Sequence, residues 1–228
     1  MWPGPYGNFG SRKYLIASLD QSLKRMGLEY VDIFYHHRPD PETPIEETMG
    51  ALAHIVQSGK ALYVGVSNYN TEEMLKAASV LHDLKTPLLV NQIKYNMFER
   101  QAEESLFSAA QNSGIGIVAF SPLAQGLLTD RYLKGTPEDS RAFGHSIFLG
   151  PQDITEEKIQ KVRLLSYLAE SRGQSMAAMA LAFVLRNHAV TSVIIGASRK
   201  EQVENCVKVI ENMTISDEEL MQLEGILK

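Results

Sequence analysis

Apolar residues along this chain follow two patterns that alternate from one end to the other. Short continuous apolar runs predict strands, and stretches with apolar residues three or four positions apart predict helices. The predicted strands lie at about 30–36, 61–66, 88–92, 115–120 and 192–196. The predicted helices lie at about 11–27, from Pro44 to Gly59, after Asn70, and at about 102–112, 155–172, 175–187, 199–211 and 217–227.

Residues that prefer the N-cap position mark where several of these helices begin. The predicted caps are Ser11, Thr43 with Glu46, Asn70 with Glu73, Ser198 with Glu201, and Ser216 with Glu219. All but the first have a glutamate three positions later, which is the capping-box pattern. Pro44, directly after Thr43, suits the first position of a helix.

Strands separated by helices predict a parallel sheet covered by helices, in a single α/β domain over residues 1–228. Most of the strands are unbroken apolar runs, as expected for strands that are buried on both faces. Two architectures fit this order. A doubly wound open sheet has about five or six strands, whereas a (β/α)8 barrel needs eight, so the strand count alone favours the open sheet.

Composition and charge limit the kinds of partner and the cellular compartment that suit this chain. The net charge is −5 and the basic residues are scattered, which argues against a nucleic-acid surface. No apolar run is long enough to span a membrane. Cys206 is the only cysteine, which excludes an internal disulfide and fits a reducing, cytoplasmic location. Residues 1–10 form a Pro/Gly-rich loop without signal-peptide features, and we expect that an N-terminal portion is missing.

Polar and aromatic side chains collect where the predicted strands end, and both candidate folds place chemistry at the carboxyl ends of strands. These residues are His36-His37, Ser67-Asn68, Gln92, Phe120-Ser121 and Gly196-Ser198. Only one of the two histidines can face a ligand, because neighbouring side chains of a strand point to opposite faces. Structural histidines and ordinary turn chemistry remain the alternative interpretations. No His, Cys or carboxylate spacing suggests a metal site.

Two segments have features of an anion site. The last predicted strand leads through Gly196 into a helix with Arg199 in its first turn, and a helix N-terminus attracts phosphate. The long loop after Phe120 could close over a ligand, with Arg131 and Arg141 gripping phosphate. The competing interpretations are an ordinary strand-to-helix turn and two exposed arginines.

Five segments, in order along nearly the whole chain, resemble the aldo-keto reductases. They are residues 31–40 (VDIFYHHRPD), 59–69 (GKALYVGVSNY), 90–92 (VNQ), 119–126 (AFSPLAQG) and 195–199 (IGASR). The most similar branch holds the bacterial L-glyceraldehyde 3-phosphate reductases and the potassium-channel β-subunits. This resemblance implies a (β/α)8 TIM barrel in place of the open sheet, of which the chain supplies strands four to eight in a single domain.

The resemblance also assigns roles to residues. It implies that His37 is the catalytic histidine, while the catalytic aspartate, tyrosine and lysine of the family have no counterpart here. It implies an NADP(H) site in which Ser67, Asn68 and Gln92 hold the nicotinamide carboxamide and Phe120 stacks on the ring. The remaining implied cofactor-binding residues are Ser121, Pro122, Leu123, Ala124, Arg131 and Arg141 at the pyrophosphate, Gly196, Ser198, Arg199 and Gln202 at the adenosine 2′-phosphate and ribose, and Asn205 at the adenine.

One motif departs from the family pattern. Asn205 stands where close relatives have Glu, and Cys206 stands where they have Asn, which leaves the adenine contact in doubt. The implied activity of the full-length protein is NADPH-dependent reduction of small aldehydes or ketones, such as glyceraldehyde 3-phosphate or methylglyoxal, with little turnover by this chain alone. The alternative is a non-catalytic NADP(H)-binding regulatory subunit. A homo-oligomer is left open.

Overall fold

Alternating helices and strands make up the chain, as a computed structural model shows for residues 9–133, 135 and 150–228. The strands are β1 (Val31–His36), β2 (Ala61–Ser67), β3 (Leu88–Lys94), β4 (Gly116–Phe120) and β5 (Val190–Ile194). The helices are α1 (Arg12–Met26), α2 (Ile45–Gln57), α3 (Thr71–Asp83), α4 (Leu106–Asn112), α5 (Glu156–Ser171), α6 (Met176–Leu185), α7 (Lys200–Val207) and α8 (Asp217–Leu227).

The strands form one sheet in the order β1-β2-β3-β4-β5, which confirms the predicted five-stranded parallel α/β arrangement. Pairing of β1 with β2 sets His36 opposite Val66, and pairing of β2 with β3 sets Ser67 opposite Gln92. A glycine is required in β2 at Gly65, because a Cβ there would lie 2.7 Å from the ring of Tyr35 on β1. The register therefore brings the ends of these three strands level.

The strands differ in how deeply their residues are buried, although their apolar runs predicted similar burial for most of them. The second half of β2 is fully buried, whereas β1 and β5 are only partly covered. These two strands come first and last in the sheet order, where a neighbour on one side is absent among the described residues. Burial on both faces is thus confirmed for the second half of β2 and wrong for β1 and β5.

Contacts divide the chain into two compact units. The first unit contains residues 1–93 and 102–118, and the second contains residues 94–101 and 119–228. The first has α1, α2 and α3 around a core that includes Leu19, Leu52 and Leu81. The second has a core around Phe183 on α6 and Tyr95. The single domain over residues 1–228 stays a prediction.

Two of the predicted capping boxes are present. In α3, the side chain of Asn70 accepts from Glu73 N–H and the Glu73 carboxylate accepts from Asn70 N–H, both at 2.9 Å. Ser216 and Glu219 close the same pair of bonds at the start of α8. Both boxes are built from residues three apart, so local sequence was enough to find them.

The predicted cap at Thr43 is wrong, and that at Ser11 is confirmed in position only. Ser11 lies at the N-cap of α1, but its side chain makes no capping bond and its Oγ is buried without a partner among the described residues. Helix α2 starts at Ile45, with Pro44 at the N-cap rather than the first helical position, so Thr43 lies one residue before the cap. The Thr43 hydroxyl donates to the Asp40 carboxylate at 2.7 Å.

Three element boundaries also differ from the sequence prediction. Residues 101–103 form a separate 3-10 turn, and α4 begins only at Leu106. Strand β5 runs over Val190–Ile194, two residues earlier than predicted. Helix α7 ends at Val207 and continues as a 3-10 turn. Each difference lies at an element end, where the apolar pattern says least.

Replacement of Asn70 tests the observed capping box. Asn70→Ala should lower the free energy of unfolding by about 1 kcal/mol, because it removes the acceptor for Glu73 N–H. Ser11→Ala is the matched control at a helix start, and it should leave stability unchanged or slightly raised, since its Oγ has no partner among the described residues. Urea unfolding measures both, and equal losses would contradict the assignment.

Candidate functional site

The two histidines at the end of β1 occupy opposite environments. His36 is fully buried, and its Nδ1 is hydrogen-bonded to the Tyr69 hydroxyl at 2.7 Å. Burial lowers the pKa of His36 to about 4, although the Asp40 carboxylate acts in the opposite direction. His37 is exposed, and residual burial together with the Arg38 cation lowers its pKa below the ordinary value. Of the pair, only His37 can meet a ligand.

The side chains of Ser67 and Asn68, at the end of β2, form a connected hydrogen-bond set with the backbone carbonyls of Gln92 and His37. Ser67 Oγ donates to the Gln92 carbonyl at 2.9 Å. Asn68 Nδ2 donates to Ser67 Oγ at 3.0 Å and to the His37 carbonyl at 3.2 Å. The Asn68 backbone N–H also donates to the Gln92 carbonyl. We call His37, Ser67, Asn68 and Gln92 the strand-end set.

Geometry limits what each member of the strand-end set can offer. Ser67 is buried and its hydroxyl hydrogen is already donated, so it acts mainly on its neighbours. Asn68 uses its amide nitrogen internally, which leaves Oδ1 as the atom able to accept from a carboxamide N–H. Asn68 also has φ 60°, a left-handed conformation that asparagine adopts more readily than most residues. The side chain of Gln92 is partly exposed.

Sequence reasoning missed two buried partners of this set. Tyr69, only 2 % exposed, bonds His36, and Asn91, fully buried on β3, donates through Nδ2 to the Tyr69 carbonyl at 2.9 Å. Both residues lie within the motifs that carry the family resemblance. The alternation of side chains along β3 could have identified Asn91 as the buried neighbour of Gln92, whereas Tyr69 lies beyond the end of β2, where alternation gives no signal.

In the second unit, the segment after β4 has an unusual backbone. Ser121, Ala124 and Gln125 all have left-handed φ angles, between 46° and 59°, without being glycine. Asn96 Nδ2 donates to the Ser121 carbonyl at 3.1 Å, and Gln125 Nε2 donates to Ser121 Oγ at 2.9 Å. Such strain costs about 1–3 kcal/mol per residue and occurs most often at functional sites.

The other predicted residues of this loop differ in accessibility. Phe120 and Leu123 are half-buried, with Leu123 packed on the apolar cluster of Leu181, Ala182, Cys206 and Val209, while Pro122 and Ala124 are buried. Arg131 belongs to a short 3-10 turn that is capped by Thr129. The Arg131 backbone N–H donates to the Thr129 hydroxyl. Arg141 lies outside the described residues.

The start of α7 is organised by Gln202 rather than Glu201. Gln202 Oε1 accepts from the backbone N–H groups of Ser198 and Arg199 at 2.7 and 3.2 Å, so the predicted Ser198–Glu201 box is wrong. Because the Ser198 and Arg199 N–H groups already donate to Gln202, they are not available to the Glu201 carboxylate. An anion here would be met by the exposed Ser198 hydroxyl and Arg199 guanidinium, beside the exposed Gly196.

The two α7 residues that depart from the family motif lie in different environments. Cys206 is buried in the apolar cluster beside Leu181, and burial raises the pKa of its thiol. Asn205, one residue earlier on the helix, is exposed. Only Asn205 is therefore available to a ligand from this pair.

A family model described as "Aldo/keto reductase family" matches residues 1–228. The chain belongs to the aldo-keto reductase family. A solved structure of a thermostable aldo-keto reductase in complex with the inhibitor epalrestat superposes with a TM-score of 0.75 at 28% identity, covering 96% of this chain and 68% of that one.

Curated aldo-keto reductase relatives are similar over almost the whole chain. The L-glyceraldehyde 3-phosphate reductases of Escherichia coli O157:H7 and strain K12 are 57% and 56% identical over 228 residues, covering 98% of this chain. A probable voltage-gated potassium channel β-subunit of Arabidopsis thaliana is 38% identical, covering 92% of this chain and 65% of that protein. The chain spans 66% of the length of the two reductases.

Burial of His36 predicts that the fold weakens in mild acid. The pKa of His36 is about 4 when folded and 6.5 when exposed, so between these values the unfolded chain binds the extra proton. The free energy of unfolding should therefore fall as the pH drops from 6.5 towards 4, by about 3 kcal/mol. His36→Asn should lose correspondingly less stability between pH 7 and pH 4.5.

Urea unfolding at the two pH values makes this comparison. His82→Asn is the control, because the His82 side chain is 81% exposed. A pH dependence that is the same in wild-type and His36→Asn chains would contradict the assignment.

Proposed function

We propose that this chain carries the NADP(H)-binding part of a reductase that acts on small aldehydes or ketones. The observation that supports it most is the strand-end set, in which His37, Ser67, Asn68 and Gln92 are tied together at one end of the parallel sheet. Amide and hydroxyl groups fixed in this way suit a carboxamide such as that of nicotinamide. The 57% identity to an L-glyceraldehyde 3-phosphate reductase supports the substrate class.

The proposed roles follow the family resemblance. Ser67, Asn68 and Gln92 would hold the carboxamide, and His37 would orient the substrate carbonyl. Phe120 is the residue that the resemblance assigns to ring stacking. The proposed phosphate and adenosine contacts are Ser121, Pro122, Leu123, Ala124, Arg131, Arg141, Gly196, Ser198, Arg199, Gln202 and Asn205. Bound NADPH would supply the hydride.

Several finer features belong to the same proposal. The five strands would correspond to strands four to eight of a (β/α)8 barrel. Cytoplasmic location and a homo-oligomer remain predictions. Among the described residues, no helix combines the length and apolar character needed to cross a membrane.

A regulatory role like that suggested by the name of the channel β-subunits is the second candidate. The 38% identity over 214 residues to such a subunit is the observation in its favour. The higher identity to the reductases favours catalysis, and the two candidates differ in one measurable respect: only the reductase needs turnover.

Discrimination between NADPH and NADH tests the proposed phosphate contact. NADPH fluorescence titration should show tighter binding than NADH, and Arg199→Ala should weaken NADPH about tenfold with little effect on NADH, since a charge-assisted bond is worth about 1.5–3 kcal/mol. Lys208→Ala removes another exposed cation and is the matched control. Equal weakening of both cofactors would contradict the role of Arg199.

Turnover tests the proposed division of labour. The family resemblance implies no counterpart of the catalytic aspartate, tyrosine or lysine among these 228 residues. We therefore expect the chain alone to bind NADPH without oxidising it in the presence of glyceraldehyde 3-phosphate or methylglyoxal. The loss of absorbance at the NADPH band measures this. Robust reduction by the purified chain would refute the expectation.

A further inference from the structure

Each exposed member of the strand-end set has a buried polar neighbour in the chain. His36 precedes His37, Tyr69 follows Asn68, and Asn91 precedes Gln92. The three neighbours are 0%, 2% and 0% exposed. The alternation of side chains explains the pairing on the two strands, because one residue faces the interior when the next faces the site.

The buried neighbours are joined to one another. His36 Nδ1 and the Tyr69 hydroxyl lie 2.7 Å apart, and the two rings meet edge to face. The Tyr69 carbonyl accepts from Asn91 Nδ2 at 2.9 Å. The chain of contacts therefore runs from the end of β1, through the segment after β2, to β3, inside the same unit. We call these three residues the buried relay.

Apolar side chains would fill this space at lower cost. Burying an imidazole, a phenol and an amide sacrifices their hydration, and hydrogen bonds only offset that loss. The offset is incomplete, because Asn91 Oδ1 is buried without a hydrogen-bond partner among the described residues. Buried polar groups kept at a cost are often explained by a functional requirement.

The backbone at Asn68 shows what such a requirement could be. Its φ of 60° is left-handed, a conformation that asparagine tolerates, and the residues on either side of it are fixed by hydrogen bonds. On one side, Ser67 Oγ is bonded to the Gln92 carbonyl. On the other, Tyr69 is bonded through both its hydroxyl and its carbonyl.

We propose that His36, Tyr69 and Asn91 are positioning residues that hold His37, Asn68 and Gln92 in the arrangement required for cofactor and substrate binding. This rests on the function proposed above. The relay acts from the buried side of the strand ends, and the exposed residues meet the ligand. Loss of one relay bond should therefore disturb the exposed set before it unfolds the unit.

Tyr69→Phe is the most conservative test, because it removes one hydroxyl and keeps the ring. We expect NADPH affinity, measured by fluorescence titration, to fall about tenfold, which corresponds to about 1.4 kcal/mol. Tyr63→Phe is the matched control: Tyr63 lies on the same β2 and is half-exposed, and its replacement should leave affinity unchanged. If Tyr69→Phe bound NADPH as tightly as the wild-type and Tyr63→Phe chains do, the proposal would be overturned.

A second measurement needs no cofactor. The imidazole signals of His37 can be titrated by NMR, together with the side-chain amide signals of Asn68. If the relay positions these groups, Tyr69→Phe should raise the His37 pKa towards its ordinary value, as its surroundings open, and shift the Asn68 amide signals. Unchanged His37 and Asn68 signals in a less stable variant would show that the relay is only structural and would overturn the proposal.

Two replacements of His36 provide a rescue experiment. His36→Asn retains a polar group near the position of Nδ1 and should keep the wild-type NMR signals and affinity within about twofold, whereas His36→Leu should lose them as Tyr69→Phe does. Equal behaviour of the two variants would contradict the relay. If wild-type protein bound no NADPH, the proposed function would fail, while the NMR titrations would still decide the positioning proposal.

Discussion

The geometry of the first unit depends on the side-chain amide of Asn68. This group donates to the Ser67 hydroxyl and to the His37 carbonyl, and so joins the ends of β1 and β2. Ser67 extends the connection to β3 through the Gln92 carbonyl. The bonds require the parallel register that sets Ser67 opposite Gln92. A slip of one residue would invert the side chains and separate these atoms.

Local sequence signals predicted much of the fold but few of the long-range contacts. The boxes at Asn70 and Ser216 could be found because both partners lie within four residues. The box predicted at Thr43 is absent because α2 starts one residue later than predicted, with Pro44 at the N-cap. The box predicted at Ser198 is absent because Gln202 Oε1 accepts from the Ser198 N–H. The residue pattern is the same in all four cases, so the pattern does not separate the boxes that form from those that do not.

The candidate site was predictable to a similar extent. Parallel strands bring their carboxyl ends to one side, so the grouping of Ser67, Asn68 and Gln92 followed from the strand assignments. The relay residues were not predictable in the same way. His36 and Tyr69 are separated by 33 positions, and Asn91 and Tyr69 by 22, so their contacts appear only once the register is known.

Burial also limits the chemistry available to the two histidines. At neutral pH His36, with a pKa of about 4, is uncharged, and the lowered pKa of His37 favours its uncharged form as well. A neutral imidazole can orient a carbonyl by donating a hydrogen bond from its protonated ring nitrogen. In the proposed function this is the role of His37, and the family resemblance gives the role of proton donor to a tyrosine.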